Sequence, residues 1–556
     1  MARPTSRLIA LMLPLALAAG SGCVGTPTTS SSIKRRPPTT AVKSPVPSAA
    51  ASATNLKGAT PRPAPPSPSP APSAAASPTP SPTAAPSRAP VMAQPVAINQ
   101  GSDGFSTSTR NYLVVSVATG SPAPAYQMAV GDGALGVASV KESYKTLSSG
   151  PRDSHAAFRA FEQAQMAGLP LPKPPAYKLQ QTVPTLLEGV EKKFWVITSF
   201  DRNAYKDVQI TAKLLKVGKH CYVFVDKKID ESATAAATMA KRAAEIQATF
   251  DNQIYPTNVK LFGSEPNPGV DGDPHVVLLI SPAVGNYGAD TTLGYFSQRD
   301  EYLPSPDLPA IFQHSNGREM LYISSRIVLT GSDEDYMGTV AHEFQHMINY
   351  NQKVLVGRNQ QSDDLWIDEG MAMYAIEANG YGLKSGGRVL ADHVKRYQQE
   401  PGDFSLVDWD NNPDGIGYGP VYLFMVYLAD RFSESIIKDI VTAKGLGIPN
   451  IEAKLKERKT DFKTVFHDWA MANFLDGRTT GMSEAHKYQS LEMTGLSGRT
   501  RLDGVSASAL RLPSNHTWNL RPYTASYFEM PQGQLTPRFT FTPNTTTGVE
   551  PRLVLP

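Results

Sequence analysis

Within Ser332 to Tyr350, reading SDEDYMGTVAHEFQHMINY, stand residue types that can hold a metal ion and move a proton. His342 and His346 lie four positions apart, so on a helix turning about 100° per residue both imidazoles leave one face, a turn apart. That is the spacing with which two histidines hold one zinc ion. Glu343 between them is placed to take a proton from a metal-activated water. A hydrolytic zinc site usually takes a third protein ligand and leaves the fourth position open. Glu369, in Trp366-Ile367-Asp368-Glu369-Gly370, is the candidate. On its own it reads as an ordinary solvated helix glutamate; its place on the next helix after HExxH makes it a ligand candidate. The longer pattern HExxHxxGxxH fails here, because Asn349 stands where its glycine belongs and Gln352 where its third histidine belongs.

The elements that must position these groups are legible in outline. Ser332 reads as an N-cap and Asp335 as its capping-box partner, with Asp333, Glu334 and Asp335 at the positive end of the helix dipole. Met337, Val340, Phe344, Met347 and Ile348 recur at helical spacing and predict the face turned to the core. A second helix, entered at Ser362 or Asp363 and stopped near Gly380, carries Glu369, and Gly370 beside it would let helices approach closely. A third is predicted from Pro420, with Tyr422, Met425, Val426 and Ala429 on one face, and a fourth over Lys459 to Asn473. Upstream, Phe194–Ser199, Lys213–Lys216, Cys221–Asp226, Pro274–Ile280 and Glu319–Ile323 read as strands, with one long helix over Glu231 to Tyr255. The last of these strands is expected either as plain sheet or as an edge that could pair with an extended substrate. Strands before the HEFQH helix and helices after it, without βαβ regularity, predict an α+β domain over 187–489, with the metal in the cleft between its two parts.

The remainder of the 556 residues divides by composition. Arg3 and Arg7, the apolar run Leu8 to Ala19 and the small residues before Cys23 read as an export signal over 1–23. Cys23 is similar in context to a lipobox cysteine, although Gly20 replaces the usual leucine, so a surface or outer-membrane lipoprotein is expected, or otherwise a secreted one. Residues 24–99, rich in Pro, Ala, Ser and Thr, cannot bury enough apolar surface to fold and predict a disordered tether. Residues 100–186 are expected as an accessory or propeptide-like region, with a strand over Tyr112–Val117 and a helix over His155–Ala167. Residues 490–556 are expected as a small β region. The only other cysteine, Cys221, reads as a buried strand residue. A net charge of +3 gives no reason to expect a nucleic-acid partner, and the membrane enters only through lipid on Cys23.

HEFQHMINY followed by WIDEGMA resembles the gluzincin metallopeptidases, and among them the hyicolysin-like family, over about Lys192 to Asn473. The resemblance implies a thermolysin-like catalytic domain, one zinc ion on His342, His346 and Glu369, and Glu343 as general base toward protein or peptide substrates. It departs at Met373, where thermolysin-type relatives carry an Asp that orients a zinc histidine; Asp368 and Asp364 are the replacements to consider. Related gluzincins place a Tyr at the entry to a helix after the third ligand, which implies Tyr418 as oxyanion donor, with Tyr422 and His393 as substitutes. No GxMEN-like motif for gripping a free amine is present, so endopeptidase is expected over aminopeptidase. A calcium site at Asp408–Gly415 has no support, because Pro413 and Gly419 replace the required glycine and closing glutamate. The competing class is a catalytically inactive surface lipoprotein that keeps the scaffold for binding. Glu343 argues against it, since a structural zinc needs no base.

Overall fold

The computed structural model describes residues 99–100, 112–118, 126–131, 154–172, 185–199, 206–285, 292–409, 412, 417–478, 482–510, 517–529, 538–542 and 549–554. The export signal, Cys23, the Pro-rich tether and most of the Asp408–Gly415 loop lie outside them. All described residues belong to one compact unit, residues 86–556.

After a two-residue strand at Asn99–Gln100, the elements run in chain order as β1 (Tyr112–Val117), β2 (Tyr126–Gly131) and α1 (Ser154–Met166). Then follow β3 (Glu191–Ser199), β4 (Lys206–Val217), β5 (Cys221–Asp226), α2 (Ala233–Thr249), α3 (Tyr255–Phe262), β6 (Val276–Ser281), β7 (Gly294–Phe296) and β8 (Met320–Ser324). β3 to β8 form one six-stranded sheet in the order β3-β4-β5-β6-β8-β7. β5, β6 and β8 run parallel, and β7 closes the end antiparallel to β8, with Gly294 opposite Ile323 and Phe296 opposite Leu321. The parallel strands are buried on both faces, as near-continuous Val, Ile and Leu runs require. Cys221 is fully buried in β5.

This arrangement corrects one expectation. Glu319–Ile323 is an internal strand, paired on both sides, so it offers no free edge. The edge belongs to β7, three residues too short to stand out by composition or alternation. The helix expected over Glu231–Tyr255 also differs. It runs as α2, a π turn over Phe250–Ile254 and α3, and so reaches Phe262. The π turn absorbs the break, and Pro256 falls in the first turn of α3, where a missing N–H costs least.

The helical part comprises α4 (Asp333–Tyr350), α5 (Leu365–Ala378), α6 (Arg388–Gln399), α7 (Tyr418–Phe432) and α8 (Phe462–Leu475), with shorter helices between. Mixed helix and sheet make the fold α+β. α4 begins at the expected capping box, with Ser332 Oγ accepting from Asp335 N and Asp335 Oδ2 accepting from Ser332 N. Its stripe Met337, Val340, Phe344, Met347 and Ile348 is buried, and Phe344 packs edge-on against Phe250, 5.0 Å between centroids. A side chain at Gly370 would meet Met425 and the Val421 carbonyl, so the bare glycine lets α5 lie close on α7.

The last strands are β9 (Thr517–Leu520), β10 (Ala525–Glu529), β11 (Arg538–Thr542) and β12 (Val549–Val554). β12 and β10 flank β1 in one sheet, while β9 and β11 flank β2 in another. Residues from both ends of the described chain therefore share two sheets. α8 packs on the first: Ser116 Oγ lies 2.6 Å from His467 Nδ1, and the Tyr527 hydroxyl donates to the Ala470 carbonyl at 2.9 Å.

Candidate metal centre

α4 turns His342 and His346 out of one face, and α5 brings Glu369 against them. The two Nε2 atoms lie 3.1 Å apart, and Glu369 Oε2 lies 3.3 Å from His342 Nε2 and 3.5 Å from His346 Nε2. The rings stand nearly perpendicular, at 81°. Among the described residues this is the one group of three such side chains whose ligand atoms all lie within 4.8 Å of one another. All three are buried, Glu369 completely.

The spacing suits a small cation. Tetrahedral ligands about 2.0–2.1 Å from zinc stand about 3.3–3.4 Å from each other, close to the three separations here. Two imidazole nitrogens and a carboxylate also match the borderline chemistry of that ion. A fully buried carboxylate against two histidines needs a positive charge beside it, and one proton can serve only one of the three contacts.

A carboxylate behind His346 sets which nitrogen faces the cluster. Asp368 Oδ1 lies 3.0 Å from His346 Nδ1 and also accepts from Asn349 Nδ2 at 2.6 Å. A proton on Nδ1 leaves the Nε2 lone pair toward Glu369 and His342. Burial is the largest single influence and works against protonating His346, but the charges of Asp368 and Glu369 and the Asp368 hydrogen bond together outweigh it, so its pKa is raised. Met373 is buried without a polar role, and Asp364 is the N-cap residue of α5, against Gly447. Of the two replacements considered, only Asp368 reaches the histidine. Asn349, the residue that excluded the longer histidine motif, steadies it.

Glu343 lies beside the cluster with its own partners. Its Oε2 accepts from the Phe296 amide of β7 at 2.9 Å, and Arg159 Nη2 of α1 stands 3.6 Å from the same oxygen. β7 comes this close because Gly294 has no side chain: a Cβ there would meet Thr339 Cγ2, the Tyr322 carbonyl and Glu343 Cγ. Neither Phe296 nor Arg159 carries a sequence signal for this place. One contributes only its backbone, and the other comes from a segment without a motif.

Tyr418 is the first residue of α7, half-buried between Trp409 (5.0 Å between centroids) and His393 (4.9 Å). Burial lowers the His393 pKa to about 4, and the charge of His342 pushes the same way against Asp392. The structure thus brings Tyr418 and His393 together. Tyr422 is committed elsewhere, donating to Glu377 Oε2 at 3.0 Å within the core.

No family model matches the chain. Over 262 residues it is 30% identical to the neutral metalloprotease ShpI of Staphylococcus hyicus, which covers 44% of this chain and 54% of the relative. The chain thus spans about half the length of the curated relative it matches. The similarity places this stretch beside a metalloprotease. No helix among the described residues is long and apolar enough to cross a membrane.

Proposed function

We propose that the protein is a zinc-dependent endopeptidase built on a thermolysin-like, gluzincin scaffold. The observation that carries this reading is the convergence of His342 Nε2, His346 Nε2 and Glu369 Oε2 at 3.1–3.5 Å beside Glu343. The similarity to ShpI supports it. In this reading His342, His346 and Glu369 hold one zinc ion. When bound, the ion supplies a Lewis acid that polarises the substrate carbonyl and makes water acidic near neutral pH.

The chain's own groups do the rest. Glu343 takes the proton from the attacking water and passes it to the leaving nitrogen. Asp368 and Asn349 keep His346 in the tautomer that ligates. The oxyanion needs a donor besides the ion, and the Tyr418 hydroxyl is assigned to it, with His393, neutral at pH 7, alongside. β7, not β8, is the edge strand beside this site, and its Phe296 amide and carbonyl are already engaged by Glu343 and Arg159. Export through residues 1–23, with lipid on Cys23 and the tether of residues 24–99 holding the folded part off the membrane, completes the proposal.

The test is digestion of a casein-type substrate by the purified protein. Activity should vanish with a chelator and return with zinc. Glu343→Gln should keep its zinc and lose about 10²–10⁴-fold in kcat. A Glu343→Gln protein that cuts as fast as the parent would falsify the assignment.

A further inference from the structure

We propose that Arg159 of α1 is a positioning residue for Glu343, joining the base to the edge strand β7 from a part of the chain far upstream of the motif. The proposal rests on the peptidase reading above.

The geometry forms a closed ring. Arg159 Nη1 donates to the Phe296 carbonyl at 2.7 Å, Arg159 Nη2 lies 3.6 Å from Glu343 Oε2, and the Phe296 amide donates to that same oxygen at 2.9 Å. One guanidinium therefore spans both a peptide group of β7 and the carboxylate on α4. α1 is held there by its own contacts. Phe158 is fully buried with its ring 5.6 Å from that of Tyr295, and Glu162 accepts from Ser297 Oγ at 2.5 Å and from the Gln298 amide at 3.4 Å. The helix thus docks at the C-terminal end of β7, and its Arg159 and Glu162 lie within 3.8 Å of each other.

A purely structural arginine would be expected to satisfy its donors. Arg159 is buried, yet its Nε and Nη2 make no hydrogen bond, and Nη2 reaches Glu343 only as an ion pair. Burying such donors is costly, and an unsatisfied buried group in a folded protein calls for a reason. The position supplies one. A base must keep one carboxylate oxygen directed while it exchanges a proton, and a fixed cation with a strand amide does so without giving up a proton itself. Arg suits the task because it stays charged and its planar fork reaches two acceptors at once. Contacts of this kind, one layer behind the reacting groups, commonly carry 10–100-fold effects.

The experiment is steady-state kinetics on the full-length zinc-loaded protein with Arg159→Gln, Arg159→Met and Arg159→Lys. Gln can keep a bond to the Phe296 carbonyl without the charge, so it serves if Met does not fold. Expected are a 10–100-fold fall in kcat for Gln and Met, KM within about twofold, unchanged zinc content and melting temperature, and substantial recovery in Lys. An unchanged kcat in Arg159→Gln overturns the proposal. So does a rise in activity, which would make α1 an inhibitory segment. A KM effect alone also overturns it, because Arg159 borders a cavity of about 290 Å³ with Asp368 and Trp409 and would then be binding substrate. Loss that merely follows zinc content or melting temperature reduces Arg159 to a structural role. Failure of the peptidase reading looks different: the parent itself would show no zinc-dependent cleavage.

Discussion

Asp368 and Glu369 are neighbours in the chain but serve different atoms of the same imidazole. Glu369 reaches the His346 Nε2 side and Asp368 the Nδ1 side, so two adjacent carboxylates hold the ring from opposite edges. Asp368→Ala is accordingly expected to weaken zinc binding about 10–100-fold, read by competition with a chromophoric chelator. Equal affinity would mean that His346 needs no partner. His342, Glu343, His346 and Glu369 were legible in the sequence because helical spacing alone orients the first three and the next helix carries the fourth. The choice between Asp368 and Asp364 was not, since it depends on how α5 is rotated about its own axis.

At the scale of elements, the contact that matters is α4 against β7. Gly294 lets the strand close on the helix, with Thr339 Cγ2 of α4 only 2.7 Å from where a Cβ would stand. Gly294→Val should therefore destabilise the fold by about 1–3 kcal/mol, as overpacking does, measured by urea denaturation. It should also lower activity beyond what the unfolded fraction explains, because the strand that donates to Glu343 is pushed off. The HEFQH helix was readable down to its capping box, where side chains bond to backbone three residues away. β7 was missed, and of the two readings offered for β8, plain sheet and pairing edge, the first holds. Strand order is set by partners distant in sequence, and three residues carry too little periodicity to show a strand.

Across the whole molecule, buried carboxyls link stability to pH. Glu319 and Glu301 are buried together. Burial, above all, pushes both upward, Glu319 from 4.5 to about 8, with neighbouring carboxylates adding to it. A carboxyl whose pKa is higher folded than unfolded favours the native state at low pH. That contribution is lost as pH rises from near 4.5 through the folded value. The parent should therefore melt at a lower temperature at pH 8–9 than at about pH 5–6, and Glu319→Gln should flatten that dependence. Glu319 Oε1 accepts from the Val270 amide at 2.6 Å, a bond the Gln carbonyl can keep. An identical pH profile in the variant would show that the pair does not govern it.

By itself the sequence determined what short-range order can encode: the HExxH letters, the helices that present them and Glu369, and the strand runs of an α+β domain. Each depends on a repeat of two or 3.6 residues, or on a cap a few residues long. Tertiary structure alone decided which strand is the edge, that Arg159 meets Glu343, and that β1 and β2 pair with β9 to β12 from the other end of the chain. Those contacts join residues that are not sequence neighbours, from Phe296 with Leu321 to Tyr112 with Val554. They are selected by burial and hydrogen bonding in the assembled fold, which leave no periodic trace in the residues that make them.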